Sequence, residues 1–226
     1  MHVWLVRVPS AEEAAPLSAG DSAEAGSHWP HGAASLSHDE VDRARTLVEP
    51  ARSRFVVTRN ALRSRLAGYL GCAPAHVGFD YGDMGKPHLR SEEWLHFSVA
   101  HAGDLALLAF AREAPVGVDV ERLRRVPRQE RIARRVLAPA SAEALERIPH
   151  EERDRAFIWA WTQREAYVKA IGSGLLRSPD PLPFVWPPRP HESAGWQVAP
   201  LPSPDGYYAC LVVHGGPRRI RLLQAP

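Results

Sequence analysis

Hydrophobic and polar positions divide the chain into recognisable elements. HVWLVRV, residues 2 to 8, is alternating and β-branched and predicts a strand. The stretch at 11 to 35, rich in Ala, Ser and Gly, has no periodicity and reads as a mobile insertion. Helical signals resume at SLSHDEVDRARTLV, where Ser37 with Glu40 three residues on fits a capping box. In ARSRFVVTRNALRSRLAGYLG, Phe55, Leu62, Leu66 and Leu70 form one helical stripe and Arg52, Arg59 and Arg63 another, with Gly71 as the stop. A turn-rich stretch, GFDYGDMGKPHL, precedes LHFSVAH and DLALLAFA, a predicted hairpin joined at Ala102-Gly103.

The same order of elements then recurs. VGVDVERL predicts a strand, basic helical material and the helix RAFIWAWTQREAYVKA follow, and GWQVAPL, YYACLVVHG and RRIRLLQA alternate as strands of the second half. The halves share element order and almost no residue identity, so the repeat is one of architecture only. The proline-rich pieces SPDPLPFVWPPRPHE and APLPSPDG read as loops, since proline supplies no amide proton.

Composition narrows the class. The chain has 226 residues, 45% hydrophobic and 24% charged, ordinary values for a folded soluble protein of one large or two small domains. Cys72 and Cys210 lie far apart with no CxxC spacing, which points to a reducing cytoplasm and away from a zinc site. MHVWLVRVPS has no long apolar run behind a basic start, and no later run has the length to span a bilayer, so neither secretion nor a membrane is expected. A formal charge of +2, with no aromatic-interleaved basic motif, ranks nucleic acid last among partners.

Two features suggest chemistry. In VGVDVERL, Asp119 and Glu121 point the same way, their Cα atoms about 6.6 Å apart at the strand rise. An isolated D-x-E is most simply the solvated face of an edge strand; the sharper reading is a hard-cation site, to which Mg²⁺ brings waters and substrate phosphates. On the aromatic helix, Trp161, Glu165 and Lys169 lie along one line. Glu165 with Lys169 is either a surface pair or a partly buried pair whose desolvation a metal and a polyphosphate would offset. Arg52, Arg59, Arg63, Lys86 and His101 are cations that could gather around phosphates, although each taken alone is as readily a solvated or structural side chain.

Read in order, GKPHL at 85 to 89, FSVAHAG at 97 to 103, VGVDVE at 116 to 121 and WTQREAYVKAIGSGL at 161 to 175 resemble the signature blocks of the 4′-phosphopantetheinyl transferases, in their larger, monomeric, pseudo-dimeric class. The resemblance implies an α+β fold of two similar lobes related by a pseudo-two-fold axis, each a small, mainly antiparallel sheet packed on helices, here residues 1–115 and 116–226. It implies transfer of the phosphopantetheine arm of coenzyme A to a serine of an apo acyl or peptidyl carrier protein, as in holo-acyl-carrier-protein synthases, with release of adenosine 3′,5′-bisphosphate. Asp119, Glu121 and Glu165 match the Mg²⁺-binding acids; Lys169 matches the helix lysine that contacts phosphate, and Glu165 is the candidate base. Lys86 and Pro87 match the block near the adenine, His101 the histidine at the 3′-phosphate, and Arg59 a phosphate-binding arginine, with Arg52 and Arg54 as further candidates. Departures are Ala100 and Ala102, where the family commonly has serines, and Arg164, where it often has lysine. Two other classes stay open: another Mg²⁺-dependent phosphotransferase or nucleotide hydrolase, and a module that binds coenzyme A or carriers without turnover. The basic stretch at 121 to 137 is a docking surface for an acidic carrier or a solvated helix. The pathway, whether fatty acid, polyketide or nonribosomal peptide assembly, is not written in these residues.

Overall fold

The computed structural model describes residues 1–8, 35–174 and 182–224, so the expected insertion at 11–35 lies almost wholly outside it, as does part of the first proline-rich loop. In chain order the first elements are β1 (His2–Arg7), α1 (His38–Arg45), α2 (Ala51–Leu70), β2 (Phe79–Tyr81), β3 (Pro87–Leu89), β4 (Leu95–Ala102) and β5 (Leu105–Arg112). There follow β6 (Val116–Arg122), α3 (Gln129–Val136), α4 (Pro139–Glu146), α5 (His150–Ile171), β7 (His191–Ser193), β8 (Trp196–Leu201), β9 (Tyr207–His214) and β10 (Arg221–Gln224). The fold is α+β. Two four-stranded sheets, β10-β1-β5-β4 and β6-β9-β8-β7, carry it, and β2 and β3 form a separate hairpin. In each large sheet the first strand pairs with the second arm of the hairpin that follows the helices, so β1-β5-β4 and β6-β9-β8 have one pairing order.

Side-chain alternation explains the layers. In β5, Ala106, Leu108 and Phe110 face α2, where they meet Leu62, Leu66 and Ala67, while Leu107, Ala109 and Ala111 face the second sheet. In β9, Cys210 and Val212 face α5 and its Trp159, Ala166 and Ala170, while Ala209, Leu211 and Val213 face the first sheet. The two sheets therefore share one apolar core, to which β6 contributes Val116, Val118 and Val120. Strand period then places Gly117, Asp119 and Glu121 on the opposite face of β6, toward α5.

Several expectations need correction. RRIRLLQA is a strand, but Arg221–Gln224 pairs parallel with β1 and so belongs to the first sheet, not to the second half. GFDYGDMGKPHL, read as turn, contains the β2–β3 hairpin, with Phe79 opposite Leu89. The β4–β5 turn is Gly103-Asp104, one residue later than expected. Pro200 lies inside β8, opposite Cys210; β7 pairs only with Trp196 to Val198, so β8 is an edge strand there and tolerates proline.

Candidate functional site

The acids depend on a close approach of helix to strand. A Cβ built on Gly117 would overlap the Ala166 carbonyl and the Ala170 amide of α5, so only glycine lets the helix backbone lie directly on β6. One β-period later, Asp119 meets the same helix. Its Oδ1 accepts from Lys169 Nζ at 2.6 Å, and the residue is 5% exposed, which rules out the solvated face of an edge strand. Glu121, the next residue on that face, accepts from Trp161 Nε1 at 3.0 Å and pairs with Arg124 at 2.7 Å. Trp161, Glu165 and Lys169 succeed one another along α5, so each of its last turns brings one polar group to this strand.

The charges here do not balance. Burial pushes the Asp119 carboxyl up to about 7 despite the neighbouring Lys169 ammonium, and the negative charges of Glu121 and Glu165 push the same way. Glu165, half-buried, is likewise raised, by burial first and by Glu121, with Lys169 and Arg164 opposing. Asp119 Oδ2 is buried and, among the described residues, accepts no hydrogen bond. The three predicted acids thus share one electrostatic neighbourhood, and one carboxylate oxygen in it lacks a partner. Among the described residues, however, no three carboxylate, His or Cys side chains are drawn into a preformed metal cluster. His101, near the end of β4, belongs to the same neighbourhood: burial lowers its pKa, and the positive charges of Lys169 and Arg54 lower it further.

The other predicted cations are committed elsewhere. Arg52 Nε donates to Leu47 O at 2.9 Å, closing the α1–α2 connection. Arg63 is 2% exposed; it donates to Glu40 Oε2 at 2.6 Å and to the carbonyls of Pro74 and Val77. Arg59 pairs with the other oxygen of Glu40 at 3.3 Å and lies over the Phe55 and Phe79 rings. Its Nη1 is buried and has no hydrogen-bond partner among the described residues. Glu40, the capping-box residue of α1, also accepts from the Ser37 amide at 3.0 Å. The arginine stripe of α2 is therefore largely the inner side of a buried ion network.

Lys86 and Pro87 line a cavity of about 610 Å³ together with His88, Leu89, His96, Phe97 and the end of α5 at Ile171 and Gly172. None of the three acids borders it. The cavity lies past the last turn of α5, and the acids lie farther back along the helix and strand, so the predicted residues fall into two groups. His96, five residues before His101 on β4, has its pKa lowered by burial and then by the Lys86 charge, as His101 has by burial and then by that of Lys169.

Sequence reasoning missed three long-range contacts, the first two of which join the halves. The Ser98 hydroxyl accepts from the Val118 amide at 3.1 Å, Tyr207 donates to Asp104 at 2.7 Å, and Trp161 reaches Glu121 across 40 positions of sequence. Only the last had a signal, in the placing of Trp161 on the line of Glu165 and Lys169. The departures also have structural places: Ala100 is buried in the shared core, and Arg164, 3% exposed, donates to Val136 O at the end of α3.

With this geometry in view, the comparisons are specific. A profile described as the 4′-phosphopantetheinyl transferase superfamily matches residues 115–210, which hold Asp119, Glu121, Glu165 and Lys169. The chain is 36% identical over 190 residues to the 4′-phosphopantetheinyl transferase HetI of Nostoc sp., covering 81% of this chain and 80% of that one. It is 24% identical over 198 residues to a 4′-phosphopantetheinyl transferase of Bacillus subtilis, covering 87% and 81%. To the transferase Sfp of the same species, strain 168, it is 25% identical over 153 residues, covering 62% and 67%. The chain belongs to the 4′-phosphopantetheinyl transferase superfamily.

Proposed function

We propose that the protein moves the phosphopantetheine arm of coenzyme A onto a serine of an apo acyl or peptidyl carrier protein, with Mg²⁺ as cofactor and adenosine 3′,5′-bisphosphate as the second product. The observation that carries this reading is the buried, under-compensated carboxylate of Asp119, bound to Lys169 and flanked electrostatically by Glu121 and Glu165 at the meeting of β6 and α5. The donor set suits a hard divalent cation: carboxylate oxygens only, in excess over nearby positive charge, with one of them orphaned. Asp119, Glu121 and Glu165 would hold Mg²⁺, which supplies charge neutralisation to a diphosphate.

The chain's own groups fit the remaining roles. In the transfer, the serine oxygen forms a bond to the phosphorus next to the pantetheine, and that phosphorus loses its bond to the oxygen bridging to adenosine bisphosphate. Glu165, whose carboxylate is made more basic by burial and by Glu121, accepts the serine proton. Lys169 would oppose charge on the departing phosphates, with Arg54 nearby, and His101, kept toward its neutral form by burial and by these cations, would donate a ring N–H to them. Arg59 offers its unpartnered Nη1, and Pro87 with the backbone around Lys86 forms a wall for the nucleotide end.

The decisive experiment is incubation with coenzyme A, Mg²⁺ and a panel of apo carriers, followed by intact-mass measurement. The expected result is addition of one phosphopantetheine to a carrier with wild-type protein and none with Glu165→Gln of unchanged fold. Release of adenosine bisphosphate without any carrier would instead mean a hydrolase.

A further inference from the structure

The turn of the β2–β3 hairpin reaches the far end of α5, and Lys86 makes the connection. Its Nζ donates to Ala170 O at 3.0 Å and to Val116 O at 3.4 Å. Ala170 lies in the last turn of α5, whose terminal carbonyls have no acceptor role left inside the helix and carry the negative end of its dipole. Val116 is the first residue of β6. One ammonium thus bonds to both elements that bear the acids, directly after Lys169 on the helix and three residues before Asp119 on the strand.

The surroundings are shaped to this contact. Gly172 ends α5 with φ +72°, and a Cβ there would come within 3.3 Å of Lys86 Cδ. Met84, from the same turn, packs on Gly174, where an added Cβ would stand 2.7 Å from Met84 Cε. A carboxylate partner for Lys86 is missing among the described ion pairs, and burial alone brings its pKa from 10.5 down to about 8. An ammonium buried against two backbone carbonyls has few donors left for a ligand.

We propose that Lys86 is a positioning residue for the transfer: it clamps the end of α5 to the start of β6, keeping Lys169 and Glu165 over Asp119, and its ammonium touches no phosphate of coenzyme A. The activity half of this inference rests on the reading under Proposed function; the structural half does not.

The test compares wild type with Lys86→Met and Lys86→Arg by steady-state transfer kinetics and by amide hydrogen exchange of the ligand-free protein. For Lys86→Met the expected result is a fall in kcat of about 10- to 100-fold, as displacement of a catalytic helix produces. KM for coenzyme A stays within about twofold, because no ligand contact is removed. Amides of residues 167–172 exchange faster, and Lys86→Arg, which keeps the donors, recovers part of both effects. A raised KM for coenzyme A with kcat and exchange unchanged would make Lys86 a ligand contact and overturn the clamp; so would no change in any of the three. If Lys86→Met does not fold, Lys86→Arg carries the same comparison at smaller amplitude. Should wild type transfer nothing to any carrier, the functional reading fails, while the exchange comparison still decides the clamp.

Discussion

The arginines of α2 and the acids of β6 and α5 look alike in the sequence: charged residues repeating along one face of an otherwise apolar element. Folding puts them to opposite uses. Arg63 and Arg59 converge on Glu40, itself tied to the Ser37 amide, and Arg63 takes two backbone carbonyls besides. Around Asp119, by contrast, negative charge exceeds positive and carboxyl groups are held toward their neutral forms, whereas Glu40 is met by two arginines. A buried carboxylate matched by more than one protein cation is architecture; a surplus of buried carboxylate over cation is the feature on which the proposed cation site rests.

The sharpest way to break this comparison is to treat the two sets alike. Arg63→Met should cost about 3 to 5 kcal/mol, because it leaves Glu40 buried with a weaker partner; the urea midpoint measures it. Asp119→Asn should do the reverse, lowering transfer about 100- to 1,000-fold with no loss of thermal stability, since it removes one of several crowded negative charges. If Asp119→Asn unfolds the protein while Arg63→Met is harmless, the assignment of roles is inverted. Gly117→Ala should lower stability by about 1 to 3 kcal/mol, by forcing α5 off β6, and should lower transfer with it.

A smaller effect concerns Lys86 and pH. Its folded pKa, about 8, lies below the usual 10.5, so between those values the unfolded chain binds the extra proton. Stability therefore rises with pH across that window as the cost of burying the ammonium disappears, and below pH 8 that cost is felt in full. In Lys86→Met this rise should flatten, measured as the difference in unfolding free energy from wild type between pH 8 and 10. Smallest of all, carrier affinity should weaken modestly with salt if the exposed arginines of the 121–137 stretch, Arg124 and Arg134 among them, steer docking.

Much of this fold could be read from side-chain period. The stripe of α2, the hairpin of β4 and β5, and the alternation in β6 and β9 survive because each follows from local spacing and one buried face. What failed depended on partners distant in sequence. The alternation of RRIRLLQA predicts a strand but cannot say that β1 is its neighbour, and three-residue strands such as β2, β3 and β7 are too short to show any period. At the candidate site, the shared neighbourhood of Asp119, Glu121 and Glu165 was legible from spacing and from family resemblance, and their role stays a proposal. The destinations of Arg63 and Lys86 were not, because an arginine on a helix stripe reads the same whether it faces solvent or Glu40. The clamp on Ala170 joins residues 84 positions apart, and no local pattern announces it.

The claim beneath all of this is that the surplus of carboxylate at β6 and α5 exists to receive a divalent cation with the diphosphate of coenzyme A. Calorimetric titration of coenzyme A into wild type and Asp119→Asn, with and without Mg²⁺, tests it most directly. The account predicts that Mg²⁺ tightens binding to wild type by about tenfold or more, roughly 1.4 kcal/mol, and that Asp119→Asn abolishes the difference. An equal response to Mg²⁺ in both proteins would contradict it.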